Sequence, residues 1–245
     1  MSRDKILNTK TSNSTASRLK NIMLRYHDHR LQPALPLGSD ALSKLTNWQS
    51  SRLIQSHYDL YSSPDYQQGL KFLFTDLYSD EDFSHRDRDL ERIFPKMVKL
   101  LPKGVLETVT LLIELNFLTQ RLDQQLAHTL FNILQLEDIN EHSYCLAYRH
   151  CNNFEQRLYQ IQLTSELGNK LDKYARSSMI NFTLKISETP AEMAGLSALH
   201  NFLMTGFSAF HSMRAVKPMM QTLTERETKV LQQIYDEHPQ PFSFS

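Results

Sequence analysis

Four charged residues occupy positions that helical periodicity directs toward a core: Arg52, Asp76, Arg86 and Asp87. Between Phe72 and Pro95, a helix starting at Ser84 places Leu90, Ile93, Phe94, Met97 and Leu101 on one face, spaced by three and four residues. One turn back along that stripe come Arg86 and Asp87, then Phe83. Asp76 follows Leu73 by three and Phe72 by four, so it borders the apolar stripe of the preceding helix. Arg52 follows Trp48 by four and lies between Leu45 and Leu60 on its own face. Charge directed inward is costly unless it is paired. Two chemistries fit. In one, the four residues line a polar pocket in a helical bundle, with Asp76 or Asp87 as acid, base or ligand and an arginine as anion clamp. In the other, they form a charge-neutral buried network that fixes helix register, and Arg86→Ala or Asp87→Ala then costs about 3–5 kcal/mol. The network is the default reading, because structural ion networks perturb their surroundings as readily as sites do.

The charges around this cluster are simpler. Asp82 and Arg86, and His85 and Asp89, stand four apart, and Arg88 and Glu91 three apart, as on a solvated helix face. The acidic turn at Asp80, Glu81 and Asp82 lacks the glycine and the ligand spacing of a calcium loop. Asp82-Phe83-Ser84-His85 is a single Asp-x-x-His, whereas a di-iron bundle needs paired repeats on facing helices. His27-Asp28-His29 resembles the His-Asp pair of metal phosphohydrolases but has no upstream histidine to complete it. His142, Cys145, His150 and Cys151 follow no zinc-ligand spacing. His57, His128, His200 and His211 sit beside apolar residues on helices, where haem ligation is conceivable, and nothing selects one of them. No metal ligand is therefore assigned, and the cofactor is left open. Glycine-rich phosphate loops, nucleophile elbows and dinucleotide fingerprints are absent from the sequence.

These residues must be positioned by helices. The 245 residues are 40% hydrophobic and 22% charged, and only 6 Gly and 9 Pro punctuate them, too few for an all-β fold of many tight turns. Helices are predicted over about 17–31, 40–61, 64–77, 84–101, 102–134, 141–151, 153–175, 178–187, 190–213 and 218–237. The expected fold is all-α, a single multi-helix bundle of about eight to ten helices. Its boundaries are residues 17–237, with a flexible tail at 1–16 and an extended tail at 238–245. A formal charge of zero makes a nucleic-acid partner a poor match, leaving only the basic arm of Arg3, Lys5, Lys10, Arg18, Lys20, Arg25 and Arg30. No run reaches about 18 apolar residues, and no secretory leader is evident at the N-terminus. Two cysteines fit a reducing compartment, so a cytoplasmic setting is expected.

The central segment also resembles a family of uncharacterised bacterial all-helical proteins. The residues that carry the resemblance are Phe72, Phe74, Asp76, Leu77, Tyr78, Asp82, Phe83, Arg86, Asp87, Asp89 and Arg92, with Trp48-Gln49 and Arg52-Leu53 upstream. Downstream, Gly195-Leu196-x-x-Leu199, Gly206-Phe207-x-x-Phe210 and the Glu225-Arg226-Glu227 helix ending in Pro-Phe fit the same pattern, and Ser79 stands where that pattern has glycine. The resemblance spans roughly Leu42 to Phe242. It implies the helical fold and a bacterial, cytoplasmic setting, and brings no activity to transfer. Two functions follow. The first is a non-enzymatic binding or assembly protein with a protein partner or as a homo-oligomer, its Arg/Asp network structural. The alternative is a small-ligand- or metal-binding helical protein, conceivably an enzyme, with the Arg/Asp cluster lining its pocket. Trp48, Tyr78, Asp82, His85, Asp89 and Arg92 support the cluster in either case.

Overall fold

Helices whose apolar faces are too broad for water pack on one another throughout the chain, in a computed structural model that describes residues 2–31, 35–38, 40–76, 83–100, 103–193 and 197–244. In order they are α1 (Ser2–Asn8), α2 (Ser14–Arg30), α3 (Ala41–Ser56), α4 (Tyr58–Tyr61), α5 (Gln67–Lys71), α6 (Phe83–Leu100), α7 (Lys103–His128), α8 (Glu141–His150), α9 (Phe154–Ala175), α10 (Ser178–Ile186), α11 (Glu188–Met193), α12 (Ser197–Ser212) and α13 (Val216–Tyr235). The fold is all-α, with no strand among the described residues. The thirteen helices exceed the expected eight to ten because α4, α5 and α11 are short pieces of four, five and six residues. No helix among the described residues is long and apolar enough to cross a membrane.

Two π segments extend α-helices: Phe72–Asp76 follows α5, and Thr129–Ile133 follows α7. The second carries the helix that begins at α7 on to Ile133, close to the end predicted at residue 134. Helix starts obey local chemistry. Asn13 accepts a hydrogen bond from the Ala16 N–H at 2.8 Å and so caps α2, while Asn140 and Ser143 form a reciprocal capping box on α8. Asp40 precedes α3 without a capping bond; its carboxylate pairs with Lys44 at 2.8 Å instead. The helix expected to run on to Tyr61 breaks at His57, and the one expected to open at Pro64 begins only at Gln67. The stretch read as an N-terminal tail contains α1, whose Ile6 is fully buried against α2 and α6.

The centre is built by α7, which carries two apolar stripes. Leu106 and Ile113 meet Leu19, Ile22, Met23 and Tyr26 of α2 and Phe94 of α6. Leu111, Leu115, Leu118 and Leu122 meet Leu163 and Leu167 of α9. Helix α9 in turn packs along α13 and against α12, and α3 lies against α7. Leu167 sits at the middle of this leucine layer and is 1% exposed. Leu167→Ala is expected to lower stability by about 3 kcal/mol. Urea unfolding measures it, and a loss below about 1 kcal/mol would mean that α7 and α9 do not share this core.

Candidate functional site

Where α3, α7, α8, α9 and α13 converge, a pocket of about 110 Å³ opens, lined by both polar and apolar side chains. Periodicity explains the supply. On α13, Met220, Leu223, Glu227, Val230 and Ile234 are spaced by three and four and point to one side, so Glu227 interrupts an apolar stripe. On α3, Leu45, Gln49 and Arg52 follow the same spacing, and on α9 so do Arg157, Gln160 and Thr164.

Two ion pairs face each other here. Arg52 Nη1 donates to both oxygens of Glu227, at 2.6 and 2.8 Å. The fully buried His57 places Nε2 2.8 Å from Glu227 Oε1. An ionised carboxylate only accepts, so Nε2 carries the hydrogen, and the buried Nδ1 has no hydrogen-bond partner. In the second pair, Arg157 Nη1 lies 3.4 Å from Asp123 Oδ1 and donates to Gln160 Oε1 at 3.1 Å, while Nη2 donates to the Leu122 carbonyl at 3.3 Å. Gln49 Nε2 reaches Asp123 Oδ1 at 3.2 Å and the Tyr144 hydroxyl at 3.4 Å. Three atoms on these pocket-lining side chains, Gln49 Oε1, Arg52 Nε and Arg157 Nε, are buried without a hydrogen-bond partner.

Aromatic rings hold the guanidinium groups in place. The Arg157 guanidinium lies 4.8 Å over the Tyr148 ring, and that of Arg52 lies 5.4 Å over Phe242. Trp48 stacks on Tyr144 with ring centroids 4.3 Å apart. The C-terminal stretch, read as an extended tail, contributes directly: Phe242 meets Trp48 edge-on at 5.9 Å, and Phe244 approaches His57 at 5.6 Å. Ser50 Oγ donates to the Phe74 carbonyl at 2.7 Å, which ties α3 to the π segment; Leu73 and Phe74 of that segment line the pocket.

Burial would raise the Glu227 pKa, but the Arg52 charge, the hydrogen bond and charge of His57 and the Arg52 hydrogen bond outweigh it and hold the carboxyl at about 2, against an ordinary 4.5. A carboxyl held this low gives stability that is complete above its ordinary value and is lost as pH falls toward 2. That contribution is on the order of 3 kcal/mol. The stability advantage of the wild type over Glu227→Gln is thus expected to shrink steadily below about pH 4.5, measured by urea unfolding across the acid range. A constant difference would contradict the assignment. Burial also raises the Tyr144 and Tyr148 phenols, so both stay neutral at pH 7. Burial lifts the Cys145 thiol to about 11 and raises that of Cys151, whose Sγ donates to Thr129 Oγ1 at 3.3 Å. Neither is an activated nucleophile. Among the described residues, no group of three His, Cys, Asp or Glu side chains is placed to hold a metal ion.

Of the residues singled out from the sequence, the structure brings Arg52 and Trp48 to this site. Tyr78 and Asp82 lie outside the described residues, and Asp76, His85, Arg86, Asp87 and Asp89 have side chains outside the description. Arg92 is exposed on α6. Glu91, expected on a solvated face with Arg88, is instead buried and meets His27 Nδ1 at 3.0 Å, because it lies one turn before the core residue Phe94. The described partner of Arg52 is Glu227, from the far end of the chain. Sequence reasoning missed Asp123, Arg157, Gln160, Tyr144 and Tyr148 as well. For Glu227 the signal existed, as a carboxylate inside an apolar stripe.

A family model described as a domain of unknown function (DUF8198) matches residues 27–241, most of the chain. No curated protein and no solved structure matches it.

Proposed function

We propose that this chain, which belongs to the DUF8198 family, is a non-enzymatic binding protein that holds a small molecule in the pocket between α3, α7, α8, α9 and α13. One observation carries the reading. Paired and hydrogen-bonded polar side chains, Gln49, Arg52, Asp123, Arg157, Gln160 and Glu227, line an open volume of about 110 Å³ inside the helical bundle. Leu53, Leu73, Phe74, Ile161, Leu223 and Leu231 line the same volume and add apolar surface, the usual mixture in small-molecule sites. The Glu227 carboxyl is held too low to serve as a base at neutral pH, which favours binding over general-base chemistry at this group.

Native mass spectrometry of the gently purified protein tests the proposal. The expected spectrum shows added mass that disappears on denaturation and is lost in Thr164→Leu, which fills the pocket. Apo mass alone from wild-type protein would count against it.

The partner or homo-oligomer expected from the sequence is a second reading. It is favoured by exposed apolar side chains on α10 and α11: Phe182 at 65%, Ile186 at 58% and Met193 at 86% exposure. Self-association of the chain through this face predicts a mass that rises with concentration in light scattering and reverts in Phe182→Asp. A monomer at every concentration would remove it.

A further inference from the structure

We propose that the segment 239–244 occupies, in cis, a preformed peptide-binding groove between α3, α8 and α13. A partner protein's segment of the same chemistry, a proline turn carrying two aromatic residues two apart, competes for it. This groove is a second site, independent of what the pocket holds. Helix α13 ends sharply. Glu237 adopts a left-handed φ of 56°, and the His238 N–H bonds back to the Gln233 carbonyl at 2.9 Å, so the helix stops and the chain changes direction. Residues 236–240 are exposed, whereas Pro241 is buried. The Ser243 N–H donates to the Gln240 carbonyl at 3.3 Å, closing a turn with Pro241 at its second position, where proline is favoured. An exposed link therefore leads into a locally preorganised turn, and two half-buried rings, Phe242 and Phe244, seat it.

The surface that receives these rings is built without them. Trp48 stacks on Tyr144 at 4.3 Å, Arg52 is held by both oxygens of Glu227, and Arg226 donates to both oxygens of Asp59, at 2.7 and 2.8 Å. Each guanidinium is thus fixed at its edge by a carboxylate and keeps a flat face for a ring. Phe242 lies 5.9 Å from the Trp48 ring, 6.1 Å from Tyr144 and 5.4 Å from the Arg52 guanidinium carbon. Phe244 takes the Arg226 face at 5.1 Å and lies 5.6 Å from His57. Trp, Tyr and Arg are the residue types that dominate recognition surfaces. A groove whose side chains are already ordered loses little freedom on binding. These anchoring contacts run through side chains, and they do not require both partners to share one chain.

Trp48 is the single tryptophan, so its indole N–H gives one NMR signal at the groove. The test uses the full chain carrying Phe242→Ser and Phe244→Ser together, to which a synthetic peptide of residues 238–245 is added. The variant is expected to keep its helices, with the Trp48 signal displaced from its wild-type position. The peptide should return the signal toward that position, with a dissociation constant on the order of 0.1 mM. Wild-type protein should respond about tenfold less, since a tethered occupant acts at an effective concentration of about 1 mM. A peptide with serine at both phenylalanine positions should leave both proteins unchanged. Phe244→Ser alone, which keeps one ring in place, should respond between the two. A folded double variant whose Trp48 signal does not move with the peptide would overturn the proposal, as would an equal response of wild type and variant. Should the double variant unfold, Phe244→Ser decides by the same readout. Unfolding of both would make the segment part of the core and also overturn it.

Discussion

Arg52→Met is expected to destabilise the protein by about 3–5 kcal/mol at neutral pH, among the largest effects of any single substitution here. Methionine fills much of the arginine's volume, so the loss is electrostatic in origin. Glu227, 18% exposed, would keep its charge with only the His57 hydrogen bond to support it. The carboxyl can limit the damage by taking a proton, and the penalty should therefore diminish as pH falls below about 5. A second substitution separates a lost attraction from a stranded charge. In Arg52→Met with Glu227→Met, no charge is stranded, and much of the stability should return, less about 1–3 kcal/mol for the His57 N–H left without an acceptor. Equilibrium urea unfolding of the two variants decides it. A single-mutant loss under about 1 kcal/mol would place the pair in effective contact with solvent, as exposed ion pairs are.

Arg157→Met should cost a similar amount, about 3–5 kcal/mol, for a different reason. The Arg157 guanidinium is a junction: it reaches Asp123 and Gln160 through one nitrogen and the Leu122 carbonyl through the other, and its face lies over Tyr148. Removing it takes a countercharge from the buried Asp123 and a donor from a buried backbone carbonyl at once. Arg157→Lys keeps the charge but not the planar fork, so it should recover only part of the loss. Full recovery by lysine would mean that charge alone matters at this position. Trp48, the single tryptophan, stacks on the Tyr144 that also accepts from Gln49, so its fluorescence gives a local readout of the same unfolding transitions.

The sequence carries some of this arrangement and hides the rest for identifiable reasons. Helical spacing places Arg52 inward because its face is marked by Leu45 and Trp48, and the structure puts it there. The same spacing marks Glu227 between Leu223 and Val230, a second charge inside an apolar stripe, legible by the rule that singles out Asp76 and Asp87. That Arg52 and Glu227 meet is another matter. They lie 175 residues apart, and no local pattern encodes the contact. The Asp123–Arg157 pair joins α7 to α9 in the same way, and each member has a glutamine beside it, Gln124 and Gln156, so that it looks like surface. Short elements are the other gap. A helix of seven residues such as α1 offers one buried side chain, Ile6, and therefore no period to read. Phe242 and Phe244 stand among Pro, Gln and Ser and look like a tail. Two phenylalanines within so few residues were the sign of an anchored terminus, and they pack on Trp48 and His57. In the central segment, the aromatic half, Leu73 and Phe74, reaches the pocket.

A crystal structure of the protein purified without a denaturing step tests the central claim most directly, because it views the pocket between Arg52, Arg157 and Tyr144 itself. The account predicts continuous density for a bound molecule there, with polar contacts to the arginine–glutamine wall and its body against Leu53, Leu73 and Phe74. A pocket holding only ordered water, in protein whose native mass spectrum is also that of the apo chain, would contradict it and leave the two ion pairs as a structural network.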